Sequence, residues 1–207
     1  MFIYSINVLP FYKKVLHVGG LLTYFRPRDL AIISIFAALW GILNVTISPV
    51  FFQIFHLPFA CDLVGFSALI LATFWVRKLG TATFVGLIAL IINVMVRPTA
   101  FQFFGFFVAS ITFDILVFLS GYNRIFKKRI LGSIILFIIS VFSAALAGLI
   151  IGSIFMSPPA LTQWGGVVGW AGLHAIGGVI GGTIGLTVMN AISVRGLNPR
   201  FGINNLP

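Results

Sequence analysis

"IINVMVRPTAFQFFG", residues 91–105, runs apolar, breaks at Arg97-Pro98, and runs apolar again. The residue before a proline is driven out of helical backbone, and the proline itself cannot extend a helix. The stretch therefore reads as two apolar helices meeting at a tight turn, with one arginine at the bend. Working outward, "TATFVGLIALIINVMV" (81–96) leads into the turn and "FFGFFVASITFDILVF" (103–118) leaves it. Neither run alternates polar and apolar residues as a β-barrel strand does. Each approaches the roughly 20 residues that a helix needs to cross hydrocarbon.

The whole chain follows the same pattern. Of its 207 residues 60% are hydrophobic and only 8% are charged, whereas soluble domains carry about 25% charged residues. So few charges cannot clothe a water-soluble globule, so bilayer has to cover most of the outside. The expected fold is an all-α integral membrane protein of the multi-pass type, sited in the cell membrane. Its six transmembrane helices run over about 30–48, 59–76, 80–96, 101–120, 130–155 and 165–193. The breaks "SPVFFQIFHLP" (48–58), "RKLG" (77–80), "RPTA" (97–100), "GYNRIFKKR" (121–129) and "MSPPALTQWGG" (156–166) carry the proline and glycine expected of boundaries.

Charge orients the bundle. The net charge of +10 would suit nucleic acid, but the basic residues sit where a membrane protein puts them. With the amino terminus inside, Lys13, Lys14, Arg26, Arg28, Arg77, Lys78, Arg124, Lys127, Lys128, Arg129, Arg195 and Arg200 all fall inside. Arg97 alone falls outside. This bias supports an even number of spans with both termini cytoplasmic and gives no reason to invoke nucleic acid. Residues 1–29 read as an amphipathic N-terminal segment lying at the lipid interface through Lys13 and Lys14, residues 30–194 as the membrane domain, and 195–207 as a cytoplasmic tail.

Polar groups inside membrane spans are costly and usually face a cavity, the bundle interior or a partner. Placed by the helical rise of about 1.5 Å per residue, Asn44, Asp62, Asn93, Arg97, Gln102, Trp170 and His174 fall at the same outer depth. His56 and Trp164 lie in adjoining loops. Together these nine residues form the candidate substrate-binding set, with the Phe-rich stretch 49–59 as its lid. Each also has a plainer reading. Arg97 can snorkel to phosphates, Asp62 can cap its helix or pair with Arg97, and Asn44 and Asn93 can bond between helices. His174 can be a satisfied core histidine, and the tryptophans can belong to an interfacial belt. Asp114, at the other depth, is expected to form a structural ion pair with a base such as Arg77, or else to be protonated.

Small residues recur at four-residue spacing. Ser140, Ala144, Gly148 and Gly152 form one series; Gly165 and Gly169, then Gly177, Gly181 and Gly185, form another, with Gly178 and Gly182 beside it. Such stripes let helices approach closely inside a bundle. On the first span, Ser34/Ala38 and Ala37/Gly41 repeat the spacing and offer a docking face for a partner subunit.

Enzyme chemistry is not indicated. The sequence contains no Walker A loop, H-E-x-x-H pair or G-x-S-x-G elbow, it has one cysteine, and its acids number three. Neither a cofactor nor a metal is expected.

Two stretches, "VRKLGTATFVGLIALIINVMV" (76–96) and "FQFFGFFVASITFDILVF" (101–118), resemble the membrane S-components of energy-coupling factor (ECF) vitamin transporters, closest to their thiamine and hydroxymethylpyrimidine branch. The Arg77-Lys78-x-Gly80 turn and the late Asp114 carry the resemblance, which spans about a third of the chain. It implies an S-component that captures a vitamin or precursor from outside. It further implies docking through the first helix on a transmembrane coupling subunit and inward release driven by cytoplasmic ATPases, as in an ABC transporter. The branch has a glutamate on its third helix, where this chain has Gly86 and Asn93. That departure turns the expected ligand from a cation toward an anionic or neutral molecule. The alternative is a non-catalytic structural or assembly subunit of a larger membrane complex.

Overall fold

In a computed structural model, residues 24–55, 57, 59–197 and 199 are described. Most of the interfacial segment and of the tail lie outside them. The described residues are almost wholly helical, with no strand among them. The helices are α1 (Pro27–Phe55), α2 (Phe59–Val76), α3 (Thr81–Val96), α4 (Phe103–Ser120), the short α5 (Tyr122–Lys127), α6 (Arg129–Ile150), the short α7 (Pro158–Thr162) and α8 (Gly166–Val194). A π turn, Ile151–Phe155, extends α6. Four helical stretches are long and apolar enough to cross a membrane: Pro27–Phe55, Phe103–Ser120, Arg129–Phe155 and Gly166–Val194. Ala60–Val76 and Thr81–Val96 are shorter apolar helices. The chain is a membrane protein of the all-α class.

The six longer helices close into a ring. α1 packs on α3, α3 on α4, α4 on α6, α6 on α8, α8 on α2, and α2 back on α1. Glycine makes the tightest seams. A Cβ on Gly181 would lie 2.6 Å from the backbone oxygen of Asp62 and one on Gly185 3.0 Å from Ser67 Cα, both on α2. A Cβ on Gly178 would lie 2.6 Å from Ala144 on α6. The two adjacent glycine rows of α8 thus serve α2 and α6 respectively, which is internal packing. Aromatics fill the ring: Trp40 lies against Phe103, with centroids 5.3 Å apart, and Phe66 lies 6.3 Å from Phe113.

Polar ties close the end where α1 begins. Lys78 Nζ donates to Asp29 Oδ2 at 2.7 Å, and Arg129 Nε donates to Asn190 Oδ1 at 3.1 Å. Three sequence expectations fail here for identifiable reasons. Asp114 is not paired with Arg77. Its Oδ2 accepts from the backbone N–H of Thr83 at 3.0 Å and from the Thr83 hydroxyl at 2.8 Å. Gly80, at the start of α3, has no capping side chain, so Asp114 reaches across from α4 to satisfy that helix end. Arg77 leaves α2 with φ at +52° and donates from Nε to Phe74 O, while its guanidinium lies over the Phe126 ring. Burial pulls its pKa down to about 10, which leaves it charged at neutral pH. The second failure is the lid. Residues 49–55 continue α1 through Pro49 instead of looping. The third is one half of the docking face: Ala37 and Gly41 are buried within the ring, with a Gly41 Cβ 3.0 Å from Ile92. Ser34 stays exposed and Ala38 half-buried.

The trans cap is testable. Asp114→Ala should destabilise the fold by about 0.5–2 kcal/mol, the usual range for a lost helix cap. Thr83→Val, which keeps the backbone bond, should cost about half as much. Thermal unfolding in detergent measures both, and equal losses would show that the backbone bond contributes nothing.

Candidate ligand-binding site

The other end of the ring is where α1, α3 and α6 finish and α2, α4 and α8 start. It holds a cavity of about 450 Å³, within the ordinary range for small-molecule sites. Its lining includes Asn44, Asn93, Arg97, Gln102, Trp170 and His174, which the sequence placed at one depth. Helical spacing explains the convergence. Asn93 and Arg97 are one turn apart at the end of α3, and Trp170 and His174 one turn apart near the start of α8.

The polar groups form two sets. On one side, Asn44 Nδ2 donates to Asn93 Oδ1 at 2.7 Å, Ser48 Oγ donates to Asn44 Oδ1 at 3.0 Å, and Asn93 Nδ2 donates to Ala89 O at 2.8 Å. The amides thus bond one another and hold α1 against α3. On the other side, Asp62 is wholly buried behind the wall, and its Oδ2 lies 2.8 Å from His174 Nδ1. That bond leaves His174 Nε2, on the other side of the ring, with no partner among the described residues. Trp170 Nε1 is likewise buried and unpartnered among them. Trp170 and His174 stand edge-to-face with centroids 5.3 Å apart, and Phe106 meets His174 at 5.5 Å. The π turn brings Ile151 and Phe155 to the wall; such turns cluster at functional sites.

The remaining candidates take other places. Trp164 stands behind Trp170, 5.5 Å between centroids, and 6.4 Å from Phe52. His56 lies outside the described residues. Asp62 partners His174 and not Arg97, whose guanidinium makes no hydrogen bond or ion pair among the described residues. Sequence reasoning missed Ser48, Phe103 and Phe106 in the lining. Ser48 follows Asn44 by one helical turn, which is a readable signal. The phenylalanines, among 23 in the chain, carried none.

One group could be weighed as a metal site. The donor atoms of Cys61, Asp62 and His174 lie within 4.8 Å of one another. However, the 2.8 Å between Asp62 and His174 is a hydrogen-bond distance, shorter than the ~3.3 Å that two donors keep around a tetrahedral zinc with its usual bond lengths. The geometry is that of a bonded pair. No protein-family model, curated protein or solved structure matches the chain.

Proposed function

We propose that the chain is a substrate-capture subunit of a membrane importer, of the ECF S-component kind, that takes up a vitamin-sized molecule. The observation that carries this is the cavity of about 450 Å³ in which polar side chains of α1, α3 and α8 and the start of α4 meet aromatic walls. In this reading all six longer helices span the cell membrane. α3, with 16 residues, rises only about 24 Å, less than the usual ~30 Å of hydrocarbon, and the cavity opens where it stops. Among the described residues every basic residue except Arg97 lies at the opposite end, which the charge rule makes cytoplasmic, so in this reading the cavity faces outside. The sequence contains no Walker A loop, and in this reading a coupling subunit and ATPases supply the energy for inward release. With Ala37 and Gly41 inside the ring, the docking surface is the outer side of α1, where Ser34 and Ala38 sit beside Ile35 and Leu39.

Mass spectrometry of small molecules released from the purified chain tests the reading. A vitamin-sized metabolite is expected, and Trp170→Ala should retain at least about tenfold less of it, since truncating a large anchoring aromatic commonly costs about 2 kcal/mol or more. Absence of any retained metabolite, with other membrane chains co-purifying in fixed stoichiometry, would replace it with the structural-subunit reading.

A further inference from the structure

Resting on the capture reading, the charged side chains around the cavity define the charge of its guest. We infer that the site takes a small ring-bearing monocarboxylate, with its carboxylate on Arg97.

All three acids of the chain are engaged away from the cavity surface. Asp29 pairs with Lys78 and Asp114 binds Thr83, both at the other end, and Asp62 is wholly buried against His174. No carboxylate side chain lines the cavity, so no anionic side chain there balances a cationic guest. Arg97 does line it, and its guanidinium has no partner among the described residues. The neutral amides cannot change this sign, because Asn44 and Asn93 already satisfy each other.

Size and geometry narrow the class. One guanidinium matches one carboxylate through two parallel N–H···O bonds. A phosphate dianion would call for a second lysine or arginine, and the described lining has none. The aromatic side chains of Trp170 and Phe106 in the lining favour a planar ring in the guest. About 450 Å³ accommodates one or two rings.

An isosteric series tests this on the full chain in nanodiscs: benzoate, neutral benzamide and cationic benzamidinium, with binding read by tryptophan fluorescence and calorimetry. Benzoate is expected to bind at least about tenfold tighter than benzamide, because bonds to charged groups are roughly twice as strong as neutral ones. Benzamidinium is expected not to bind. R97Q should bring benzoate down to the benzamide level of the native protein. Benzamidinium binding as well as benzoate, unchanged benzoate affinity in R97Q, or no binding by any probe would each overturn the inference. A cationic or neutral metabolite released from the native protein would overturn it while leaving capture intact; no metabolite and no probe binding would remove both.

Discussion

His174→Ala is expected to destabilise the protein by about 3 kcal/mol or more, far beyond the loss of an ordinary interhelical bond. Hydrogen bonds between membrane helices average only about 0.6 kcal/mol in double-mutant cycles, so the bond itself is a small part of the effect. The larger part comes from what remains. Asp62 is wholly buried, its Oδ2 is held by His174 at 2.8 Å, and its Oδ1 lacks a partner among the described residues. Removing one member of a buried pair strands the other, which costs about 3–5 kcal/mol. Asp62→Ala relieves the same carboxylate and should be the milder single change. Because the stranded group vanishes with its partner, the double variant should be more stable than His174→Ala alone. Unfolding midpoints of the three variants in one detergent decide this; strictly additive losses would mean that the two side chains act independently.

The second large effect concerns α8. Gly181→Ala places a methyl 2.6 Å from the Asp62 backbone oxygen and 2.9 Å from Leu63 Cα. Neither neighbour is the mobile end of a side chain, so α2 and α8 must separate. Overpacking of this kind costs about 1–3 kcal/mol, and the rigid neighbours put it at the upper end. At Gly172, earlier on the same helix, an added Cβ would meet nothing within 4 Å. There alanine should stabilise by several tenths to about 1 kcal/mol through helix propensity alone. Opposite signs for the same substitution on one helix are the expected result. Equal small effects would mean that the α2–α8 seam is looser than its distances indicate.

Depth was the readable property of this chain. Once apolar runs define helices, the rise per residue places Asn44, Asn93, Arg97, Gln102, Trp170 and His174 near one level, and all six line the cavity. Pairing was not readable. Asp62 and His174 are 112 residues apart, and nothing in either flank names the other. The lid expectation failed because Pro49 reads as a break in water-soluble logic, whereas membrane helices tolerate proline when neighbours satisfy the freed backbone. Asp114 was misassigned because an acid near basic residues suggests an ion pair, while an uncapped helix start at Gly80 competes for it. Ala37 and Gly41 gave a correct signal of close approach, but the spacing of small residues does not say which helix approaches, and at Gly41 it is α3 through Ile92.

The burial of Asp29, Asp62 and Asp114 has an effect on company in the bilayer. With every anionic side chain sequestered, the charged side chains this protein shows to its surroundings are uniformly cationic. Two copies brought flank to flank would set Arg124, Lys127, Lys128 and Arg129 of one against the same cluster of the other. Anionic phospholipids relieve that repulsion, at about 1 kcal/mol for each basic residue near the leaflet. A contact between copies that brought these clusters together would therefore need anionic head groups between them.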